Sequence, residues 1–224
     1  MNDSRILITP RRRKTTWLVW CGIILLAGTL LLAFMLAQLR LRYERQPLPV
    51  YAQVADFTLT NQNAQPISLK DLQGHVWIGD IIFTRCPGPC RRMSKRMKEV
   101  QDALPASSQA RLVTLTTDPD YDNPAILKKE AVRLGADPNR WIFLTGPQKD
   151  IAKLATDSLK LAALEKPANE RESANDLFVH STIFVVVDKK GQLRRVLETE
   201  GEGIDPNKVS SDAIASIRKL EREP

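Results

Sequence analysis

Two cysteines and one histidine are the residues of this chain whose types and spacing favour chemistry. Cys86 and Cys90 lie four positions apart in the stretch IIFTRCPGPCRRM, after an apolar run and at the start of a basic segment. His180 is one of only two histidines in the 224 residues and lies just before a second apolar run. Two thiolates and one imidazole make a three-coordinate set that suits Cu(I) and can also hold Cu(II). The three residues therefore predict a copper site, since a structural zinc site normally takes four ligands.

The same two cysteines also predict a redox pair. The thiolate is the species that attacks a disulfide, and six Lys or Arg side chains lie within the fourteen residues 85–98. These charges and the positive end of a helix starting near Cys90 lead us to expect lowered pKa values for both thiols. We expect Cys86, as the more exposed sulfur, to attack a partner disulfide and Cys90 to resolve the mixed disulfide.

Strands and helices alternate along the part of the chain that carries these residues. Val76 to Thr84 is almost continuously apolar and predicts a buried strand, in which Asp80 is the only charged residue. Met93 and Met97 belong to an apolar face that predicts a helix over residues 90–104. Other strands are predicted at 57–59, 112–116, 141–144, 183–187 and 193–197, and helices or turns at 67–72, 124–135, 147–161 and from 205. This order predicts an α/β fold of the thioredoxin kind, with the cysteines where a central strand gives way to a helix.

A membrane anchor is predicted near the N-terminus. Trp17 to Leu39 is a run of twenty-three uncharged residues, long enough to cross a bilayer and longer than the apolar core of a signal peptide. Five Lys or Arg residues precede it and three follow it, which places the N-terminus in the cytoplasm. Cys21, inside this run, is interpreted as an apolar residue.

The sequence thus predicts four parts: a cytoplasmic basic N-terminus over 1–16, the transmembrane anchor over 17–39, a linker over 40–55 and a thioredoxin-like copper-binding domain over 56–224. The predicted location is the bacterial inner membrane, with the C-terminal domain in the periplasm or outside. Most of the net charge of +7 comes from the membrane flanks, because residues 1–46 hold eight Lys or Arg against two Asp or Glu. Residues 47–224 hold twenty-five against twenty-four, so no nucleic-acid partner is expected.

Separated stretches of the chain resemble the Sco/SenC family of membrane-anchored copper proteins. Residues 56–90, DFTLTNQNAQPISLKDLQGHVWIGDIIFTRCPGPC, look like the opening block of that family with its metal-binding CxxxC. Residues 114–146, TLTTDPDYDNPAILKKEAVRLGADPNRWIFLTG, are similar to a second signature with a DP-x-x-D-x-P turn between strand and helix. With the anchor and the downstream histidine, the resemblance runs from about residue 56 to residue 200.

The resemblance implies a copper metallochaperone that assists assembly of the copper A centre of cytochrome c oxidase. Cys86, Cys90 and His180 would then be the copper ligands, and the partner would be the apo-oxidase copper subunit or another copper protein. The chain departs from the family pattern next to these ligands. Gly88 stands where the family commonly has Asp, Arg91 where it has Pro, and Val179 where it has Asp.

The residues leave alternatives to the chaperone open. One is a membrane-anchored thiol-disulfide oxidoreductase that uses Cys86 and Cys90, for example to reduce the cysteines of a copper protein. Another is a peroxidase in which peroxide reacts at the thiolate of Cys86. A third is a scaffold or sensor that reads copper or redox state through residues 162–176, a polar segment expected to be a mobile insertion. Enzyme activity is thus left undecided by the sequence.

Overall fold

The computed structural model describes residues 13–86, 88–161, 163–165, 169, 178–180 and 182–223. The chain divides into two compact units, Met1–Pro47 and Leu48–Pro224. In the first, helix α1 spans Arg13–Arg45, and its segment Trp17–Arg40 is long and apolar enough to cross a membrane. Apolar side chains along this segment are exposed, as those facing lipid would be. The helix fits the predicted single-pass anchor.

The second unit contains an eight-stranded sheet, a separate two-stranded ladder and five helices among its described residues. The strands are β1 (Ala52–Gln53), β2 (Thr58–Asn61), β3 (Pro66–Ser68), β4 (Trp77–Ile82), β5 (Arg111–Thr116), β6 (Trp141–Thr145), β7 (Ala163–Glu165), β8 (Phe178–His180), β9 (Ile183–Val187) and β10 (Gln192–Glu198). The helices are α2 (Leu69–Leu72), α3 (Pro89–Ala103), α4 (Pro124–Leu134), α5 (Gln148–Lys153), which continues as a π-helical turn (Leu154–Ser158), and α6 (Pro206–Arg222).

The strand order of the large sheet is β1-β10-β9-β4-β5-β6-β2-β3. β4, β5 and β6 run parallel, while β9 lies antiparallel against β4 and β10 antiparallel against β9. The smaller ladder pairs β7 with β8. Both the mixed sheet and the alternation of strands and helices agree with the predicted thioredoxin-like fold, and Ile183–Val187 was predicted with the bounds that β9 has.

Helices cover both faces of the large sheet. On one face α3, α4 and α6 pack over a cluster that includes Ile78, Met97 and Phe143. On the other, α2, α5 and the π-helical turn cover a cluster that includes Trp77 and Leu144. All six residues of β4 are buried, which explains the near-continuous apolar sequence of that strand. Met93 and Met97 are completely buried core residues, so their spacing reflects the packed face of α3.

Local sequence signals fix the helix ends near the cysteines. Asn123 caps α4 by accepting a hydrogen bond from the backbone N–H of Ile126 at 3.1 Å, and Pro124 occupies the first helical position. Gly135 ends α4 with a φ of 66°, a conformation that suits glycine. Pro89 similarly opens α3 and leaves Cys90 in its first turn.

Residues predicted as a linker over 40–55 belong partly to structured elements. Helix α1 continues through residues 40–45, and β1 pairs with β10. Between them, Arg194 donates hydrogen bonds to the carbonyl oxygens of Leu48 and Pro49. The same guanidinium forms ion pairs with Asp188 at 2.6 Å and Glu223 at 2.9 Å. The start of the second unit is therefore tied to β10 and to the C-terminal end of α6.

Three other segments differ in detail from their predicted form. Residues 67–72, expected to be one helix or turn, end β3 and form α2. The helix expected over 147–161 changes to π-helical hydrogen bonding at Leu154. Within the polar segment 162–176, Ala163–Glu165 form β7, while residues 162, 166–168 and 170–176 lie outside the described residues. The expected mobility of this segment therefore stays a prediction.

Candidate functional site

Cys86 and Cys90 lie together at the carboxyl end of β4. Cys86 follows the loop after this strand and donates its backbone N–H to the carbonyl oxygen of Phe83 at 3.1 Å, and Cys90 lies in the first turn of α3. Both cysteines are 3% exposed and pack with Ile82 and Phe83 in a small cluster of their own. The expectation that Cys86 is the more exposed of the two is therefore wrong, because the loop folds both residues onto the end of the sheet.

A hydrogen bond joins the two thiol groups, which are not linked by a disulfide. This hydrogen bond raises the pKa of Cys90, and burial and the negative charge of Cys86 raise it further. The predicted lowering of the Cys90 pKa is thus wrong. The contact with Cys86 and the burial of the site therefore favour the protonated form of Cys90.

The cations expected to act on the thiols are largely engaged with carboxylates. Arg85 pairs with Asp118, and Lys98 pairs with Asp102 one turn along α3. Arg91 and Lys95 are exposed, so solvent screens their charges. A basic sequence near a thiol therefore did not translate into a lowered pKa at Cys90, because most of these charges face water or are paired with carboxylates.

A buried carboxylate braces the loop that leads to Cys86. Asp122 is fully buried in the loop between β5 and α4. It accepts hydrogen bonds from the backbone N–H of Thr84 at 3.0 Å, from the Thr84 hydroxyl, and from the Thr116 hydroxyl at 2.5 Å. Burial raises the pKa of Asp122, while the hydrogen bonds from Thr116 and Thr84 act in the opposite direction. Asp122 thereby ties the loop after β4 to the end of β5.

The same two loops are joined a second time at Arg85. Its guanidinium donates two hydrogen bonds to the same Asp118 carboxylate oxygen, from Nε at 3.0 Å and from Nη2 at 2.5 Å, and stacks over the Tyr121 ring at 4.3 Å. Asp118 and Asp122 are the two acids of the DP-x-x-D-x-P turn identified in the sequence. In this structure that turn braces the cysteine loop, a role that the sequence pattern alone does not indicate.

Asp80, the charged residue noted within β4, lies on the sheet face that α3 covers. It is fully buried and accepts a hydrogen bond at 2.7 Å from the hydroxyl of Thr114, which itself accepts one at 2.9 Å from the indole N–H of Trp141. The negative charge of Asp80 is the last of the influences that raise the pKa of Cys90. A buried polar chain thus leads from Trp141 to Asp80, whose charge acts on Cys90.

Arg92 connects the start of α3 to the loop after β10. Its guanidinium donates to both carboxylate oxygens of Glu200, each at 2.7 Å. The hydrogen bonds to Glu200 raise the pKa of Arg92, and the charge of Cys86 contributes in the same direction. Arg92 is therefore a basic side chain of the predicted run that lies within electrostatic reach of a site cysteine.

His180 is the last residue of β8, where its backbone pairs with Ala163. It belongs to the small ladder, and β9 begins three residues later. The side chain of His180 lies outside what the structure describes. Among the side chains that are described, no group of three His, Cys, Asp or Glu residues converges as a metal site. The structure brings the two cysteines together and fixes the backbone position of the histidine.

His75, the other histidine, lies at a turn, where its Nδ1 is 3.0 Å from the carbonyl oxygen of Gln109.

Comparison with known proteins gives relatives that share this domain. The SCO1/SenC family model matches residues 46–216. The SCO1 protein homolog of Bacillus subtilis (strain 168) is 35% identical over 147 residues, which are 65% of this chain and 73% of that protein.

Solved structures share the fold over most of the chain. BsSco, described as a member of the Sco family of cytochrome c oxidase assembly proteins, is 25% identical with a TM-score of 0.60, covering 80% of this chain and 100% of BsSco. Bradyrhizobium japonicum ScoI, solved with copper bound, is 21% identical with a TM-score of 0.57, covering 75% of this chain and 99% of ScoI. With a thiol pair at the end of a central strand and a family match over most of its length, this chain belongs to the SCO1/SenC family.

Proposed function

We propose that this protein is a copper metallochaperone that binds copper through Cys86, Cys90 and His180 and helps to assemble the copper A centre of cytochrome c oxidase. The observation that carries the proposal is the contact between the two buried thiols at the start of α3. Two sulfurs already within hydrogen-bond reach of each other can bind one soft cation without a large movement of the backbone. Copper is the cargo of the protein in this proposal.

The course of the backbone supports His180 as the third ligand. In the antiparallel pair of β9 and β4, Val185 lies opposite Gly79 and Val187 opposite Trp77. The start of β9 therefore lies toward the carboxyl end of β4, the end from which the loop to Cys86 leaves. A histidine three residues before β9 is therefore expected at this edge of the sheet, on the side of β4 away from the β5–α4 loop that carries Asp122.

Each residue has a distinct part in the proposed chemistry. Cys86 offers the first thiolate, and copper displaces the proton that the thiol pair holds on Cys90. An imidazole that completes a three-coordinate site gives way more readily than a second buried thiolate. Transfer then proceeds by ligand exchange, in which a sulfur of the receiving protein replaces the imidazole before the copper leaves Cys86 and Cys90.

We further propose the setting in which this exchange takes place. Residues 17–39 would anchor the protein in the bacterial inner membrane, with the basic residues 1–16 in the cytoplasm and the thioredoxin-like domain in the periplasm or outside. The greater number of cations before the span supports this orientation. The receiving partner would be the apo-oxidase copper subunit or another copper protein on that side of the membrane.

A Cu(I) competition experiment on the full chain in detergent tests the binding site. We expect one copper per chain in the reduced protein, held against a chelator of known affinity. Cys86→Ser and Cys90→Ser should each abolish retention, and His180→Ala should weaken it. Cys21→Ser is the matched control for the thiol changes and His75→Ala for the histidine change, and both should bind like the unchanged protein.

Copper binding that survives Cys86→Ser or Cys90→Ser would contradict the proposal. Equal affinities of His180→Ala and His75→Ala would remove the histidine from the site and leave a two-thiolate site. Transfer is tested separately, by mixing the Cu(I)-loaded chain with an apo-oxidase copper domain, separating the two proteins and oxidising the copper domain with ferricyanide, after which the purple absorption of mixed-valence copper A is measured.

The hydrogen bond between the thiols also favours a second function, that of a thiol-disulfide oxidoreductase. The Cys86 thiolate would attack a partner disulfide and release one partner thiolate. Cys90 would then lose its proton to solvent and attack the mixed disulfide, which releases the second partner thiolate and leaves a Cys86–Cys90 disulfide. His180→Ala that keeps full thiol exchange while losing copper affinity would separate this activity from copper binding.

A further inference from the structure

We propose that Arg92 and Glu200 form a positioning pair that holds the histidine-bearing segment in register with the two cysteines. This inference rests on the proposed copper function, and it assigns a role to two residues outside the ligand set. The pair joins α3, which carries Cys90, to the loop after β10, and neither residue is close to the other in sequence.

The geometry of the pair is that of a specific contact. Arg92 donates from Nε and Nη2 to the two carboxylate oxygens of Glu200, both at 2.7 Å. Two parallel hydrogen bonds fix the relative orientation of the two groups as well as their distance. The Glu200 side chain is only 17% exposed, although that of Arg92 is 59% exposed. Glu200 is therefore held by its surroundings, and Arg92 reaches across to it.

Glu200 is placed by a neighbour that also holds the start of β9. Thr199 is completely buried, and both its backbone N–H and its hydroxyl donate to the carbonyl oxygen of Thr182, at 2.8 Å and 2.7 Å. Thr182 directly precedes β9 and lies two residues after His180. The path from Arg92 through Glu200 and Thr199 to Thr182 thus links the cysteine helix to the backbone that leads from the histidine.

Arg92 also lies against the cysteine loop itself. A Cβ atom added at Gly88 would be 3.8 Å from Nη1 of Arg92, so the guanidinium extends beside the backbone between the two cysteines. One end of the linkage is therefore at the thiol pair and the other at the strand that follows the histidine. Gly88 leaves this space open without placing an acidic side chain there that would compete with Glu200 for Arg92.

A linkage of this kind acts on the population of the binding-competent form. Copper that needs all three ligands binds with an affinity scaled by the fraction of molecules in which the two halves of the site are in register. A largely exposed ion pair contributes up to about 1 kcal/mol, so its loss should change copper affinity by about fivefold. Reversing one charge adds repulsion and should bring the change to about tenfold.

The test is a charge-swap experiment on the full chain in detergent, reduced and anaerobic. Cu(I) affinity is measured by chelator competition for the unchanged protein, Arg92→Glu, Glu200→Arg and the double swap. We expect each single reversal to lower affinity about tenfold and the double swap to restore it to within about threefold. The Cu(II) form gives a second readout, because loss of the imidazole alters its electron paramagnetic resonance spectrum in the single variants and not in the double swap.

A second comparison separates positioning from a direct effect of charge on the thiolates. If Arg92 acts through the histidine segment, Arg92→Glu should cause little further loss of affinity in a His180→Ala background. If its charge acts directly on the thiolates, the tenfold loss should persist there. The matched control is the ion pair of Arg133 and Glu130 on α4, in which Arg133 also donates from Nε and Nη2. Arg133→Glu and Glu130→Arg should leave the affinity within about twofold.

Three results would overturn the inference. These are single variants that bind copper like the unchanged protein, a double swap that fails to restore affinity, and an Arg92→Glu loss that persists without His180. The failure of the copper function itself looks different, because then the unchanged protein would not retain copper against the chelator. Unfolding curves for all four proteins exclude misfolding as the cause of a lowered affinity.

Discussion

The loop that carries Cys86 is held differently on its two flanks. Toward β5, it is fixed by two buried acids: Asp122 accepts three hydrogen bonds and Asp118 pairs with Arg85. Toward β10, a described contact is the ion pair of Arg92 and Glu200, whose guanidinium is largely exposed. One flank is buried and multiply bonded, and the other includes an ion pair at the surface.

This difference corresponds to the two halves of the proposed copper site. The buried flank fixes the loop that brings the two sulfurs together, which gives a constant pair of ligands. The exposed flank faces the segment that carries the histidine, where a ligand has to leave during copper transfer. A protein that binds and releases a metal benefits from this asymmetry, because the weaker flank can move without unfolding the stronger one.

The largest effect is expected from removing the buried carboxylate. Asp122→Ala leaves the Thr84 and Thr116 donors without their acceptor, so the free energy of unfolding should fall by about 3 kcal/mol. Urea unfolding of the apo protein measures this. Asp120→Ala, an exposed change in the same loop, is the matched control and should stay within about 0.5 kcal/mol. A small effect of Asp122→Ala would show that the β5 flank is no firmer than the other.

A smaller loss is expected at Arg85. Arg85→Ala removes two hydrogen bonds to a buried carboxylate and the contact with Tyr121, which should cost about 1.5 kcal/mol. Arg85→Lys keeps the charge without the two-pronged geometry and should recover part of the loss. Arg91→Ala, an exposed change in the same basic run, is the control. Equal unfolding curves for Arg85→Ala and Arg91→Ala would contradict the bracing role of Asp118.

Asp122 should also have a smaller effect, on how the free energy of unfolding changes with pH. The folded-state pKa of Asp122 is raised above its ordinary value of 3.8, so folding favours the protonated form. The stability that this group contributes is fully present below pH 3.8 and is lost as the pH rises through the raised folded-state pKa. Asp122→Asn cannot titrate. The unfolding free energy of the unchanged protein relative to Asp122→Asn should therefore fall from about pH 3 toward neutral pH, and a flat difference would contradict it.

The smallest effect on stability is expected on the exposed flank. Arg92→Ala should change the free energy of unfolding by no more than about 1 kcal/mol, the upper value for an exposed ion pair. Its copper affinity should nonetheless fall about fivefold. A loss of stability as large as that of Arg85→Ala would show that both flanks brace the fold equally and would break the comparison.

Much of the fold was predictable because it depends on local patterns. The unbroken apolar run of β4 and the spacing of Met93 and Met97 reflect burial on a strand and on one helix face, and both elements are confirmed. The thiol environment was not predictable in the same way. Glu200 is 108 residues from Arg92, and the hydrogen bond between the thiols depends on how the loop folds. A sequence shows which charges are present, but their partners are set by tertiary contacts.

The way the domain begins has a mechanical consequence. Arg194 on β10 binds the backbone of Leu48 and Pro49. The neighbouring Leu193 pairs with Val187 on β9, and Val187 pairs with Trp77 at the amino end of β4. Cys86 follows the other end of that strand. A pulling force on the chain from its N-terminal side therefore acts on the hydrogen bonds of Arg194 to Leu48 and Pro49 and on the pairing of β1 with β10. The thiols lie at the other end of β4 from these contacts. Tension on the chain can vary without changing the separation of the two sulfurs.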